Sequence, residues 1–306
     1  MQKTEYIWFN GKFVRWDEAK IHVLTHTLHY GLGVFEGIRV YKCKENISSI
    51  FCLSWHVKRF FESAKIVGIK IPFSDEEIEK AIEETVRINN VQAGYIRPIA
   101  FIGDGEMGLY AYDNPIHVAI AVWPWGTYLG EDGLKNGIRV KISSFARHYV
   151  NASMTKAKIC GYYVNSILAK KEAKELGFDE AILLDSEGFV SEGAGENIFI
   201  VKDSVVKTPS AHSILPGITR RVVMLFLKEF GIECREERYT RDELYTADEA
   251  FLTGTAAEIT PIREVDGRPI GNGEFRLVRR IQEKFFNVTT GKDEKYMHLL
   301  HFVNFK

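Results

Sequence analysis

Apolar and polar positions change rhythm several times along this chain, and each change marks an element. Tyr6 to Phe13 alternates around Asn10-Gly11, the pair that a two-residue hairpin turn favours. Trp55–Gly68 carries helical spacing, with Gly68 as its stop. Ser74 followed by Glu77 reads as a capping box, opening a second helix that reaches about Asn89. Two apolar runs, Tyr95–Ile102 and Ile116–Val122, predict strands. The pattern then lapses over WPWGTYLGEDGLKNG, rich in glycine and aromatics. Residues 123–136 are therefore read as a linker between a small N-terminal α/β domain, 1–122, and a larger C-terminal domain, 137–306.

Beyond the linker a strand is expected near Ile138–Ser143, then a long helix from Asn165 to Leu176 stopped by Gly177. Strands follow at Ala181–Leu184 and Ile198–Val201, a helix from Thr219 to Phe230, a strand at Ala250–Thr253 and a last helix at about Glu274–Phe286. The elements interleave without a regular βαβ rhythm. The expected class is α/β of an α+β-like kind, with no doubly wound sheet.

Composition narrows the work this chain can do. Its 306 residues are 45% hydrophobic and 26% charged, which excludes disordered and fibrous classes. With 40 Lys+Arg against 41 Asp+Glu the net charge is −1, so no general attraction to nucleic acid or an anionic membrane is expected. Cysteines 43, 52, 160 and 234 form neither a CxxC pair nor a metal-ligand spacing. No metal is expected, and a reducing, cytoplasmic compartment fits. The N-terminus MQKTEYIWFNGKF lacks a signal-peptide pattern, and no apolar run approaches the ~18 residues of a membrane span.

Among motifs, Gly103-Asp104-Gly105-Glu106-Met107-Gly108 matches GxGxxG, but turn residues follow where a dinucleotide site needs a helix to open. There is no P-loop, HExxH or GxSxG. Three segments survive. LPGITR (215–220) opens a helix whose first N–H groups suit an anion, or Thr219 simply caps it. TGTAAE (253–258) follows a strand with small residues that let a ligand approach, or it is a tight turn. SEGAGEN (191–197) sets two carboxylates at strand ends, or is a solvated acidic loop. Upstream, Lys156 and Lys158 stand among apolar and aromatic residues, where desolvation favours a nucleophilic amine. Strand alternation would put both on one face, so parity does not choose between them.

These residues carry a resemblance. HYGLGVFEGIRVY (29–41), HVKRFFESAKI (56–66), YIRP (95–98), PWGTYLG (124–130), the Lys158 segment, SEGAGENIF (191–199), LPGITR (215–220) and TGTAAEITPI (253–262) stand in the order found in branched-chain amino acid aminotransferases. The chain is similar to that family over nearly its whole length. The resemblance implies the D-amino-acid-aminotransferase-like fold type IV, two domains, and pyridoxal 5'-phosphate in the cleft between them. It also implies ping-pong transamination between Leu, Ile or Val and 2-oxoglutarate. Relatives of the same fold that act on D-amino acids or aminodeoxychorismate, R-selective amine transaminases and a non-catalytic pyridoxal-phosphate binder are the alternatives.

The resemblance places the Schiff-base lysine at Lys158, the acid facing the pyridine nitrogen at Glu192 and the phenol on the ring oxygen at Tyr163. Without it, Tyr163 reads equally well as a core tyrosine. The phosphate would rest on Gly217, Ile218, Thr219, Thr255 and Arg59, where a planar fork suits phosphate oxygens. Arg59 could otherwise form an exposed helix pair with Glu62. Tyr30, Phe35, Trp125, Tyr128 and Tyr163 would wall the substrate side chain, and Gly37 would keep the approach open. Tyr95 with the Thr255 and Ala256 amides would clamp the α-carboxylate. Arg97, on the same strand face as Tyr95, would meet the distal carboxylate of glutamate. Arg39 is expected to give structural support. A homodimer in which Tyr30 reaches the neighbouring site is the minimum assembly the resemblance implies, with a trimer of dimers as the larger form. Ile159-Cys160 after the lysine departs from the small residues common there, and Cys160 would be open to oxidation if exposed.

Overall fold

The computed structural model describes residues 2–126 and 128–305. In chain order the strands are β1 Tyr6–Phe9, β2 Lys12–Arg15, β3 Gly33–Phe35, β4 Ile38–Lys44, β5 Ile47–Phe51, β6 Gly94–Ile102, β7 Ile116–Trp123, β8 Ile138–Ile142, β9 Glu180–Leu184, β10 Val190–Gly193, β11 Asn197–Lys202, β12 Val205–Thr208, β13 Cys234–Glu236, β14 Glu249–Gly254, β15 Glu258–Val265, β16 Arg268–Pro269 and β17 Leu300–Asn304. The helices are α1 His26–Tyr30, α2 Leu53–Ile66, α3 Asp75–Ile88, α4 Gly130–Asn136, α5 Val150–Ser153, α6 Tyr163–Glu175, α7 Ile218–Glu229, α8 Arg241–Tyr245 and α9 Arg276–Thr289.

The chain forms two compact units. One comprises 1–126, 157–162 and 287–306; the other comprises 127–156 and 163–286. The first is built on an eight-stranded sheet in the order β17-β5-β4-β6-β7-β1-β2, with β3 paired to β6. Helices α2 and α3 bury Val57, Phe60, Ile78 and Ile82 in one core with Ile38, Ile50, Ile96 and Val118 of the strands. Asn10 and Gly11 take φ of 48° and 86°, which the hairpin turn requires. At α3 the Glu77 N–H donates to Ser74 Oγ and the Ser74 N–H donates back to the Glu77 carboxylate, closing the expected box.

The second unit has a nine-stranded sheet in the order β10-β9-β8-β15-β14-β11-β12-β13, with β16 on β15. Among the described residues only the β8–β9, β8–β15 and β12–β13 pairs are parallel. The architecture is thus mixed α/β with no doubly wound sheet, as the lack of βαβ rhythm predicted. Within the segment read as a linker, Trp123 closes β7 and 130–136 coil into α4. Gly103–Gly108 is a loop that runs on to β7 with no helix, so the dinucleotide reading fails on its structural requirement. Among the described residues no helix is long and apolar enough to cross a membrane.

Candidate active site

In the first unit, residues 157–162 lie along β3. The Phe35 N–H donates to the Lys158 carbonyl at 3.1 Å, Val34 bridges Ile159, and the Lys158 N–H donates to Ser63 Oγ of α2 at 3.0 Å. The half-buried Lys158 side chain brings Nζ to 4.9 Å from the Phe35 ring centroid. Lys156 is exposed and belongs to the second unit. The alternation that would set both lysines on one strand face is not realised. Residues 155–157 turn, and only Ile159 makes a strand-like bridge.

Four expected substrate residues gather near Phe35. The Arg97 guanidinium lies 4.6 Å from the Phe35 ring and 5.4 Å from the Tyr95 ring, and donates weakly to the Tyr95 hydroxyl at 3.4 Å. Trp125 meets Tyr95 edge-on at 4.6 Å. Gly37 is required by Tyr95: a Cβ there would stand 1.8 Å from the phenol oxygen. Arg39 donates to the Gly126 carbonyl at 2.5 Å, a supporting contact. Tyr30 stands apart at the end of α1, 47% exposed, with its ring stacked on His26. A cavity of about 550 Å³ in this unit is lined by Ile99, Phe101, Thr27 and Cys160, and Arg97 reaches it. The Arg97 Nε is buried without a partner among the described residues.

Arg59 sits in a buried cluster that the sequence reading missed. Its Nε and one terminal nitrogen donate to the two oxygens of Glu36 at 2.6 and 2.9 Å, and the His56 Nδ1–H donates to Glu36 Oε2 at 2.7 Å. The surface pairing with Glu62 is overturned, since Glu62 faces Lys58 at 3.9 Å. Full burial alone would raise the Glu36 carboxyl. The Arg59 guanidinium and the His56 ring outweigh it and hold the group well below the usual carboxylate range. Burial lowers His56 in turn, against the pull of Glu36.

The second unit presents a separate set. Glu192 on β10 is buried and ion-paired with Arg147. The Asn197 Nδ2–H donates to its Oε2 at 3.1 Å, and the Leu215 N–H points at the same carboxylate at 3.2 Å. Thus the acid loop and the LPGITR segment are tied together. Gly217 is the N-cap of α7 and supplies no side-chain cap, which leaves the first-turn N–H groups for another acceptor. Its lack of a side chain is enforced, because a Cβ would fall 2.0 Å from Asn197 Oδ1. Ile218 and Thr219 begin the helix, both buried. Thr255 and Ala256 form the β14–β15 turn, half-buried. Tyr163 starts α6. Tyr128 is 42% exposed, with the Lys170 ammonium 5.5 Å from its ring.

Sequence reasoning did not find Glu36, His56, Arg147 or Asn197. A charged residue inside the apolar stretch GVFEGIRV was the available signal for Glu36, since a carboxylate there must be exposed or paired. Arg147 lies in an aperiodic loop and left no signal.

Residues 33–265 match the family described as Amino-transferase class IV. The chain belongs to the class IV aminotransferases, a family of enzymes whose fold type IV architecture the two sheets share. Within it the similarity runs to one branch. The chain is 52% identical over 291 residues to the branched-chain-amino-acid aminotransferase of Pseudomonas aeruginosa, covering 95% of this chain and 94% of that one. Among solved structures it superposes with a TM-score of 0.96 and 47% identity on the T.th. branched-chain amino acid aminotransferase with pyridoxamine 5'-phosphate, over 99% of this chain and 100% of that one. The same enzyme complexed with N-(5'-phosphopyridoxyl)-L-glutamate gives 0.95 and 46%, over 99% and 100%.

Proposed function

We propose that this protein transfers the amino group of L-leucine, L-isoleucine or L-valine to 2-oxoglutarate, giving the branched-chain 2-oxo acid and L-glutamate in a ping-pong cycle with pyridoxal 5'-phosphate. The observation that carries the reading is Lys158, half-buried and pinned by its backbone to β3 and α2 beside the Phe35, Tyr95 and Arg97 group. Two of the similar structures are complexes with a phosphopyridoxyl ligand, one of them joined to L-glutamate.

The residues present suit that cofactor. An uncapped helix start at Gly217–Thr219 matches a phosphate, and the Arg59 guanidinium, held by Glu36, brings a planar cationic fork that suits phosphate oxygens. Bound, the cofactor supplies the electron sink on which transamination depends. Lys158 would hold the cofactor and, with its amine freed when the substrate amine takes its place, would move the proton between the substrate Cα and the cofactor C4′. Glu192, oriented by Arg147 and Asn197, keeps a proton on the pyridine nitrogen, and Tyr163 donates to the ring oxygen. Thr255 adds a phosphate contact and, with Ala256 and Tyr95, holds the α-carboxylate. Phe35, Trp125, Tyr128 and Tyr30 enclose an aliphatic side chain, while Arg97 receives the distal carboxylate of glutamate. Tyr30 serves the site of a second copy in a homodimer, the form we assign. Exposed Val23, Leu28, Met107, Leu109 and Tyr110 support it, on segments joined by the His26 hydrogen bonds to Gly103 and Gly108. A cytoplasmic setting goes with this reading.

Borohydride reduction of the cofactor-loaded protein, followed by peptide mapping, should mark Lys158. A mark on Lys156 overturns the site, and no mark overturns covalent attachment. Mixing with L-leucine and 2-oxoglutarate should yield glutamate. Turnover of D-alanine in place of L-leucine would favour the D-amino-acid alternative.

A further inference from the structure

One buried acid in the second unit has no part in the roles above. Glu196 lies in the bend between β10 and β11, four residues after Glu192. Its carboxylate folds back under that bend. The Gly195 N–H donates to Oε2 at 3.0 Å, and the Gly193 N–H donates to the Glu196 carbonyl at 2.6 Å. A Cβ on Gly193 would stand 2.7 Å from Oε2, so the carboxyl fills the space that this glycine leaves. On its other side, Glu196 Cγ lies 3.4 Å from where a Cβ on Gly254 would be. Gly254 ends β14 and precedes Thr255. The register explains the placement: Asn197 pairs with Thr253, which sets residue 196 against the start of the Thr255 turn.

We propose that Glu196 is a positioning residue that sets the spacing between the end of β10, which carries Glu192, and the turn carrying Thr255 and Ala256. The idea rests on those residues serving the cofactor and the substrate carboxylate. A side chain wedged under both segments transmits a shift of either to the other. Its own charge then matters. Glu180 on β9 and Glu192 on β10 bring negative charge toward it, while Lys170 of α6 is ion-paired with Glu180 and Arg147 with Glu192. Burial first, then Glu180, push the Glu196 carboxyl up to about 8, with Lys170 opposing. At neutral pH the wedge is a neutral acid. Above that it becomes a third carboxylate beneath the two segments.

The test uses Glu196→Gln, which keeps size and neutrality, and Glu196→Ala, which removes the wedge. Pyridoxal-phosphate affinity and the KM for L-leucine are measured from neutral to alkaline pH. At neutral pH E196A should weaken both by on the order of tenfold, the scale of a small misplacement, while E196Q restores them. Wild type should lose cofactor affinity as pH rises through about 8, and E196Q should not. In the cofactor-free protein, E196Q should gain melting temperature over wild type as pH climbs from about 4.5 to 8 and level off beyond. Equal behaviour of E196A and E196Q, or a wild-type pH profile in E196Q, overturns the proposal. Wild type that binds no pyridoxal phosphate at any pH overturns the functional reading, and the spacing role falls with it. That control separates the two failures.

Discussion

Glu36 shows how much one residue can hold in place. Its two oxygens satisfy Arg59, His56 and the Gly37 N–H, and it is fully buried. Removing one member of such a pair leaves an uncompensated charge, so Glu36→Gln should cost about 3–5 kcal/mol in urea unfolding at pH 7. Because the folded carboxyl is held below its unfolded value, this advantage is present above the ordinary carboxylate range. It is lost as pH falls through the lowered value. Wild type and variant should therefore converge in acid, and a gap that stays constant down to pH 3 would contradict the assignment. Oxidation of Cys160 was expected only if the thiol is exposed. It is half-buried, and burial pushes its thiol up to about 11, so the reactive thiolate is scarce at neutral pH.

At the level of elements, boundaries were legible wherever local chemistry sets them. The α3 box is an example: Ser74 and Glu77 satisfy each other's N–H groups within four residues, so no tertiary knowledge is needed. Ser74→Ala should lower stability by about 1 kcal/mol, read as a shift in urea midpoint at unchanged slope. The stretch from Gly33 to Phe51 was harder. β3, β4 and β5 are buried on both sides over much of their length, so apolar and polar positions do not alternate there. The lysine segment failed for the opposite reason. It showed apparent alternation, yet its shape comes from hydrogen bonds to Phe35 and Ser63, which are distant in sequence.

On the scale of the whole chain, each unit is assembled from separated pieces. β17 pairs with β5 from Leu300↔Phe51 to Asn304↔Ile47, so the first unit is finished only by residues near the far end. Val303 and Phe305 are buried in its core. Deleting 300–306 should cost roughly 3–6 kcal/mol from those two side chains and leave β5 as an open edge. A lowered melting temperature with rising light scattering is the expected result; an unchanged melting temperature would contradict the closing role.

The order of residues along the chain was enough for the class of fold and the family. Turns, caps and motif order are local, and eight segments in sequence carry that information. Lys158 was singled out over Lys156 by the resemblance; that Lys158 is half-buried while Lys156 is exposed appears only when the chain is folded. The partners of the candidate groups needed the fold as well: Glu36 for Arg59, Arg147 and Asn197 for Glu192, Tyr95 for Gly37. Each joins residues separated by up to 58 positions, as with Gly37 and Tyr95. Burial and electrostatic pairing are properties of what surrounds a group in space, and no spacing along the chain encodes them.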